Sequence, residues 1–201
     1  MIVVISGALR AGKTTVCRKL IQIARNHGYA CGGILSYQAP DRDIRIEDIQ
    51  SGATERLASV NDIYDGPRTQ RYCFNPEGIE FGNQAIDRGI SAAILVIDEI
   101  GHLELSGEGF ASALGLIKAG SVRNCILVIR SELLGAFLPQ LPNALVFSVT
   151  MDNRERLAYE ISSVLLGDAP PKKESDYNVN LEGENEGRNG QKGLHSGADH
   201  Q

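Results

Sequence analysis

Residues 7–15 read GALRAGKTT, and the pattern of glycines in this stretch restricts the fold to a small group. Gly7 and Gly12 are separated by four residues, and Lys13 and Thr14 directly follow the second glycine. This spacing fits G-x-x-x-x-G-K-[ST], the pattern of a loop that wraps a phosphate in backbone N–H groups. Glycine is needed where a side chain would block the phosphate or resist the backbone dihedral angles. The stretch therefore predicts a nucleotide-binding loop.

The residues on either side of this loop supply the context that the pattern requires. Residues 2–6 are an apolar, β-branched run, which predicts a buried parallel strand. Apolar residues recur at helical spacing over residues 13–27, and Gly28 is placed to end that helix. A helix that begins at the loop directs its N-terminal N–H groups toward an anion. The simpler interpretation, a glycine-rich turn joining strand to helix, is disfavoured by this context.

Every residue of the loop is a predicted nucleotide contact. The set is Gly7, Ala8, Leu9, Arg10, Ala11, Gly12, Lys13, Thr14 and Thr15. Lys13 is expected to reach the β- and γ-phosphates and to take part in catalysis. The Thr14 hydroxyl is expected to bind Mg²⁺, which bridges those phosphates, and Thr15 is expected to contact the α-phosphate. The loop thus predicts a site for a nucleoside triphosphate such as ATP or GTP together with Mg²⁺.

A second motif, AAILVIDEIGHLEL, occupies residues 92–105. Residues 92–97 predict a buried strand, and Asp98 and Glu99 end it, at the position where open α/β sheets bind ligands. Asp98 is expected to hold the Mg²⁺ and its hydration shell. Glu99 is expected to act as the general base that polarises the attacking water. An acidic pair at a strand end can also be a helix cap, but beside a phosphate loop the pair favours hydrolysis.

The remaining chain alternates predicted strands with predicted helices, which indicates an α/β fold with a mainly parallel sheet flanked by helices. Residues 41–74 are the exception and predict a small antiparallel hairpin insertion. A helix over residues 76–88 is predicted to begin with Asn75 as N-cap and Pro76 as its first residue. The other predicted strands cover residues 29–37, 41–50, 70–74, 124–129 and 144–149. The other predicted helices cover residues 109–119, a short segment ending at 137, and residues 152–165.

The composition changes after residue 167. Residues 168–201 contain Pro170, Pro171, five glycines and few apolar residues. Such a segment cannot bury enough apolar surface to offset the entropy of ordering it. We therefore predict a phosphate-loop domain over residues 1–167 and a disordered tail over residues 168–201.

The overall composition argues against several other classes of protein. The net charge of −5, the absence of Trp and the 5% aromatic content do not favour nucleic-acid binding. No apolar stretch has the length of a membrane span, and the N-terminus lacks the features of a signal peptide, so a cytoplasmic location is expected. The cysteine spacings fit no zinc motif, and small, reduced core residues are expected. We expect a monomer, and the sequence identifies no protein partner.

With both motifs placed, the chain resembles the THEP1 type of nucleoside-triphosphatase, also called cancer-related NTPase. The resemblance covers roughly residues 1–166 and depends on GALRAGKTT, on IDEIGHLEL at residues 97–105 and on TMDNRERL at residues 150–157. The segments at residues 32–52 and 57–60 are also similar. The resemblance implies a RecA-like sheet and slow, Mg²⁺-dependent hydrolysis of ATP, GTP and other nucleoside triphosphates. Lys13, Thr14, Asp98 and Glu99 match family motif positions.

Some positions depart from the family pattern. The family usually has a threonine, a glutamate and an arginine soon after the second strand, where this chain has SYQAPDRD, with Arg42 and Arg45 as candidate substitutes. His102 stands where a lysine is usual, and Arg10 is an uncommon residue within the loop. Glu104 matches the family, and either a functional or a structural role is compatible with its position. These departures leave the substrate range open.

Hydrolysis benefits from an arginine that neutralises charge in the transition state. Arg130, which ends a predicted strand, is the first candidate, followed by Arg10 and Arg42; for any one of them alone, an exposed surface role is the favoured interpretation. Asn153 and Arg154 could lie near the base, but Thr150, Asp152 or Asn153 could instead cap the last helix. Two other functions remain open: a small-molecule kinase, although no arginine-rich lid is visible, and a nucleotide-dependent switch or accessory protein.

Overall fold

The protein is built around a single mixed sheet of eight strands. The computed structural model describes residues 1–61 and 63–167, so the predicted tail over residues 168–201 lies outside the described residues. The strands are β1 (Ile2–Gly7), β2 (Cys31–Gln38), β3 (Ile44–Asp48), β4 (Thr54–Ser59), β5 (Cys73–Phe74), β6 (Ile94–Ile100), β7 (Cys125–Arg130) and β8 (Leu145–Ser148). The helices are α1 (Lys13–Asn26), α2 (Pro76–Gly89), α3 (His102–Leu105), α4 (Ala111–Lys118), α5 (Leu134–Phe137) and α6 (Arg154–Leu166).

The sheet has two parts that differ in strand direction. Its order is β5-β4-β3-β2-β6-β7-β1-β8. The five strands from β2 to β8 in that order are parallel, and we call them the parallel half. Strands β3, β4 and β5 continue the sheet in antiparallel register, and we call them, with their connections, the antiparallel wing. The expected hairpin insertion is therefore an extension of the main sheet beyond β2.

Helices cover both faces of the parallel half. Because side chains alternate along a strand, Val3 and Ile5 of β1 enter one core while Val4 enters the other. Helices α1 and α6 pack over the first core, and α2, α4 and α5 pack over the second. The four cysteines, Cys17, Cys31, Cys73 and Cys125, are buried and free, as the sequence predicted.

Three local features depart from the prediction. Strand β4 and the single-turn helix α3 were not predicted. Strand β4 begins with exposed polar residues, and its buried apolar part, Leu57 and Ala58, is too short to predict a strand from the sequence. Strand β6 continues to Ile100, so Asp98 and Glu99 lie within the strand rather than after it, and the pairing of β6 with β7 shifts register between Ile97 and Ile100.

Side-chain hydrogen bonds lie at or just before the starts of two helices. Asn75 caps α2 by accepting a hydrogen bond from the backbone N–H of Glu77, and Pro76 is its first residue, as predicted. Before α6, the Thr150 hydroxyl accepts a hydrogen bond from the Asn153 N–H, while the Asn153 side chain accepts one from the Thr150 N–H. These bonds close the turn before α6. Asn153 is the N-cap residue by position, but its side chain makes no capping hydrogen bond to the helix.

None of the helices within residues 1–61 and 63–167 combines the length and the apolar character needed to cross a membrane.

Candidate nucleotide site

The residues of both motifs lie at one edge of the parallel half. The carboxyl ends of parallel strands meet at the same edge of a sheet, which is where such sheets bind ligands. At this edge β1 ends at Gly7, β7 ends at Arg130 and β6 carries Asp98 and Glu99. Strand β7 lies between β1 and β6, and its Arg130 pairs in register with Gly7.

The glycine-rich loop joins β1 to α1. Gly12 is the N-cap of α1 and has φ 103°, in the left-handed region that glycine tolerates best. A Cβ at Gly12 would lie 3.1 Å from Cδ of Arg154, so the first residues of α6 contact the loop. Gly7 and Ala11 are buried, whereas Ala8, Leu9 and Arg10 are exposed at the tip of the loop. The loop is therefore exposed to solvent at its tip and packs against Arg154 at Gly12.

Lys13 is held inside the loop. Its side chain is only 6% exposed, and its Nζ donates hydrogen bonds to the carbonyl oxygens of Gly7 at 3.0 Å and Ala8 at 3.1 Å. The same Nζ lies 3.7 Å from Oε2 of Glu99. One ammonium group thus connects the phosphate loop to the acidic motif, although Lys13 and Glu99 are 86 positions apart in sequence. Thr14, next along α1, is half-buried, whereas Thr15 is exposed.

Asp98 has the features of a metal ligand. Its side chain is 2% exposed, and its Oδ2 is a buried oxygen without a hydrogen-bond partner among the residues that the structure describes. Burial raises the pKa of Asp98 to about 7; the nearby Thr14 hydroxyl opposes the rise and the Glu99 charge adds to it. The Thr14 hydroxyl itself donates a hydrogen bond to the Ser36 carbonyl oxygen at 3.4 Å. A buried oxygen with an unused lone pair, beside a threonine hydroxyl, fits Mg²⁺, which typically takes one or two protein oxygens and completes its shell with phosphates and water.

No cluster of three His, Cys, Asp or Glu side chains suited to a metal occurs among the residues that the structure describes. An all-protein metal cage is therefore not formed by these residues. The Asp98 and Thr14 pair instead has the composition of a magnesium site that relies on the phosphates of its substrate.

Glu99 lies between two cations. Its Oε1 accepts a hydrogen bond from Nε of Arg130 at 2.5 Å, and its Oε2 faces Nζ of Lys13. The Glu99 side chain is 20% exposed, so water can reach it. The sequence identified Glu99 and Arg130 separately, but their contact was not predicted because it joins two different strands.

Glu104 has a structural role in this arrangement. Its carboxylate is 9% exposed and accepts hydrogen bonds from the backbone N–H groups of Gly101 at 2.7 Å and Phe110 at 2.9 Å. Burial raises the pKa of Glu104, and the bonds from Phe110 and Gly101 oppose the rise. Glu104 therefore fixes the loop that follows β6, while His102 beside it is exposed.

The other candidate arginines have different surroundings. Arg42 is exposed in the antiparallel wing and has φ 71°, and Nη2 of Arg45 lies 3.8 Å from Oδ2 of Asp41. Arg10 is exposed at the loop tip. Arg154, which the sequence placed near the base only as one of two options, packs on Gly12 and donates a hydrogen bond to Sδ of Met151 at 3.7 Å.

A buried strand, a glycine-rich loop opening a helix, and an acidic pair on a nearby strand together define a P-loop nucleotide-binding protein. A family model described as NTPase matches residues 2–162. The nucleoside-triphosphatase THEP1 of Pyrococcus abyssi is 31% identical over 163 residues, which cover 78% of this chain and 88% of the relative. The THEP1 of Methanothermobacter thermautotrophicus is 30% identical over 174 residues, covering 84% and 97% of the two chains. The chain belongs to this THEP1 family of nucleoside-triphosphatases, which hydrolyse nucleoside triphosphates.

Two solved structures share the fold. The crystal structure of THEP1 from Aquifex aeolicus superposes with a TM-score of 0.69 at 22% identity, covering 82% of this chain and 99% of the other. The solution structure of a human cancer-related nucleoside triphosphatase gives a TM-score of 0.68 at 20% identity, covering 84% and 99%. The similarity confirms the predicted α/β fold with its flanking helices.

Proposed function

We propose that this protein is a slow, Mg²⁺-dependent nucleoside-triphosphatase that converts ATP, GTP and other nucleoside triphosphates to the diphosphate and inorganic phosphate. One observation carries the proposal: Glu99 lies 3.7 Å from the Lys13 ammonium group at the edge of the sheet where Asp98 is buried. A phosphate-binding cation, a metal ligand and a candidate base therefore converge on one place. Convergence of these three roles is what triphosphate hydrolysis requires.

Binding is assigned to the loop over residues 7–15. The backbone N–H groups at the start of α1 would donate to phosphate oxygens, and the helix dipole adds to that attraction. Lys13 would direct its ammonium group to the β- and γ-phosphates, where it offsets negative charge. Arg154 would close the outer side of the loop, because its side chain packs against Gly12.

Asp98 and Thr14 are the residues that would hold Mg²⁺. When bound, Mg²⁺ supplies positive charge that neutralises the phosphate oxygens as the terminal bond breaks. The chain contributes a buried carboxylate whose Oδ2 is free of other partners. Because burial raises the pKa of Asp98 to about 7, this carboxylate loses its proton most readily when a cation is near.

Glu99 is assigned as the general base. Its Oε2 would accept a proton from water as the water oxygen forms a bond to the γ-phosphorus. The bond between the γ-phosphorus and the bridging oxygen breaks, and its electron pair stays on the diphosphate. The proton on Glu99 then returns to solvent, which reaches the partly exposed side chain.

A broad range of bases is part of the proposal. The sequence contains no N-K-x-D motif that would select guanine. The loop contacts expected from residues 7–15 are with phosphates, which every nucleoside triphosphate shares.

The test is phosphate release from a panel of nucleoside triphosphates, with Mg²⁺ and with EDTA, by the wild type and by Lys13→Ala. We expect Mg²⁺-dependent release from several triphosphates and loss of release by at least about 10²-fold in the variant, since Lys13 supplies charge at the transferred group. Lys118→Ala is the matched control, because Lys118 on α4 is exposed and donates its side-chain hydrogen bond to the half-buried Gln140, outside both motifs.

Two results would contradict this proposal. Wild-type turnover by Lys13→Ala would remove the phosphate loop from the mechanism. Transfer of the γ-phosphoryl group to an added metabolite, with no free phosphate, would identify a kinase instead.

A further inference from the structure

Arg130 is held in place by two neighbouring strands. It ends β7, pairs in register with Gly7 of β1, and follows Ile129, which pairs with Ile100 of β6. After Arg130 the chain enters a short turn in which Leu133 is buried. The backbone of Arg130 is therefore fixed between the strand that precedes the phosphate loop and the strand that carries the acidic pair.

The Arg130 side chain is directed to Glu99. Its Nε donates to Oε1 of Glu99 at 2.5 Å, while Oε2 of the same carboxylate faces Lys13 at 3.7 Å. A hydrogen bond between an arginine and a carboxylate is short and strong because both partners are charged. This bond fixes the torsion angles of Glu99 and leaves one defined oxygen, Oε2, on the side of the phosphate loop.

We infer that Arg130 is a positioning residue: it orients the Glu99 carboxylate so that Oε2, rather than either oxygen at random, accepts the proton from water. This inference rests on the proposed function, in which Glu99 is the general base. It differs from the role that the sequence suggested for Arg130, a direct contact with the phosphate in the transition state. In the proposed role Arg130 acts through Glu99 alone and makes no contact with the reacting atoms.

The two roles predict different behaviour in a double-mutant cycle. A residue that acts only through Glu99 loses its effect once the Glu99 carboxylate is removed, whereas a direct phosphate contact costs the same factor in both backgrounds. We would measure kcat and KM for the wild type, Glu99→Gln, Arg130→Gln and the double variant. We would also measure the Kd for a non-hydrolysable ATP analogue with Mg²⁺ by calorimetry.

We expect Arg130→Gln to lower kcat by about 10- to 100-fold, because a misplaced catalytic group costs on this order. The KM and the Kd should stay within about threefold, as expected for an interaction used in the transition state only. In the Glu99→Gln background, Arg130→Gln should change kcat by less than about twofold. Arg130→Lys should recover only part of kcat, since lysine keeps the charge but not the planar geometry.

Arg123→Gln is the matched control. Arg123 is an exposed arginine just before the opposite end of β7, so its loss changes the same charge on the same strand away from the site. We expect wild-type kcat and KM for this variant. If Arg130→Gln does not fold, as judged by circular dichroism and thermal melting, Arg130→Lys takes its place in the cycle.

The outcomes separate the two claims. Equal effects of Arg130→Gln in both backgrounds, or a weakened Kd that accounts for its loss of activity, would overturn the positioning role and leave Glu99 as the base. Wild-type turnover by Glu99→Gln would overturn the assignment of the base and, with it, the positioning role. If Arg130→Gln lowers kcat when Glu99 is intact but not in the Glu99→Gln background, the inference is supported.

Discussion

Asp48 in the antiparallel wing and Asp98 in the parallel half are equally buried, at 2% exposure, yet their surroundings are opposite. Asp48 accepts hydrogen bonds from the Gln50 N–H, the Ser51 hydroxyl and Arg88. Burial alone would raise the pKa of Asp48, but the bonds from Ser51, Gln50 and Arg88 outweigh burial and lower it. The pKa of Asp98 is raised to about 7, because burial prevails there and Oδ2 has no partner.

The comparison shows that buried carboxylates in the two regions differ in how their negative charge is compensated. In the wing, buried charge is compensated within the chain; Asp43, for example, lies 3.3 Å from Arg56. At the edge of the parallel half, Asp98 keeps an unused oxygen, which is costly unless a ligand compensates for it. Asp98, the proposed metal ligand, thus differs from Asp48 in the hydrogen-bond partners it lacks rather than in its exposed fraction.

The largest expected difference between the two regions is in turnover. Glu99→Gln should lower kcat by about 10²- to 10⁴-fold, the usual contribution of a general base, while nucleotide affinity is retained. Glu55→Gln in β4 makes the same change in the wing, where Glu55 is exposed and accepts a hydrogen bond from the backbone N–H of Arg56. Steady-state phosphate release should be unchanged for Glu55→Gln. A comparable loss in both variants would break the distinction between the regions.

The two aspartates should give stability profiles of opposite sign. Asp98 in the folded protein titrates near 7, against an ordinary value of 3.8. Between those values the folded protein keeps a proton that the unfolded chain has lost, so the free energy of unfolding falls as pH rises, by up to about 4 kcal/mol. Asp98→Asn removes this titration and should therefore gain stability relative to the wild type as pH rises through that window.

Asp48→Asn should do the reverse. Because the pKa of Asp48 is lowered in the folded protein, its stabilising contribution is present above its unfolded pKa and is lost as pH falls through the folded value. Urea denaturation of metal-free wild type and both variants, from about pH 2 to about pH 8, covers both windows and measures each difference. Parallel profiles for the two variants would show that the unpartnered oxygen of Asp98 has no energetic consequence.

The smallest expected effect is on nucleotide binding, when alanine replaces one glycine in each region. Gly12 has φ 103° and Gly52 in the wing has φ 72°, so alanine is strained at both positions, by roughly 1–2 kcal/mol. A Cβ at Gly52 would meet nothing within 4 Å, whereas at Gly12 it would lie 3.1 Å from Arg154. Both variants should melt at lower temperature, but only Gly12→Ala should weaken Mg-nucleotide binding, by about tenfold or roughly 1.4 kcal/mol. Equal affinities in calorimetry would contradict the placement of the nucleotide on this loop.

Local sequence patterns predicted the features that depend on neighbouring residues. The phosphate loop, the buried strands and the Asn75 cap of α2 each follow from a short segment, and the structure has them. Strand β4 was missed because Thr54 and Glu55 are exposed, Arg56 is half-buried, and these polar residues form a strand by pairing with β3. The length of β6 was underestimated because charged residues usually end a buried strand. Here Asp98 and Glu99 lie within the strand, which continues to Ile100.

The contacts within the site could not be predicted for the same reason. The bond between Arg130 and Glu99 depends on β7 lying beside β6, and the contact between Arg154 and Gly12 depends on β8 lying beside β1. Strand order is a property of the whole sheet, and no single segment encodes it. The sequence could therefore identify these residues individually as candidates, but it could not predict which of them contact each other.

The position of β7 between the two motif strands has a consequence for recognising inactive relatives. Side chains alternate between the faces of a strand, so a one-residue insertion or deletion in β7 would turn Arg130 to the opposite face. Both diagnostic motifs would survive unaltered in such a homologue. A search that scores only those motifs would not detect the change. If Arg130 orients Glu99 as we infer, the spacing within β7 identifies relatives that have lost efficient turnover.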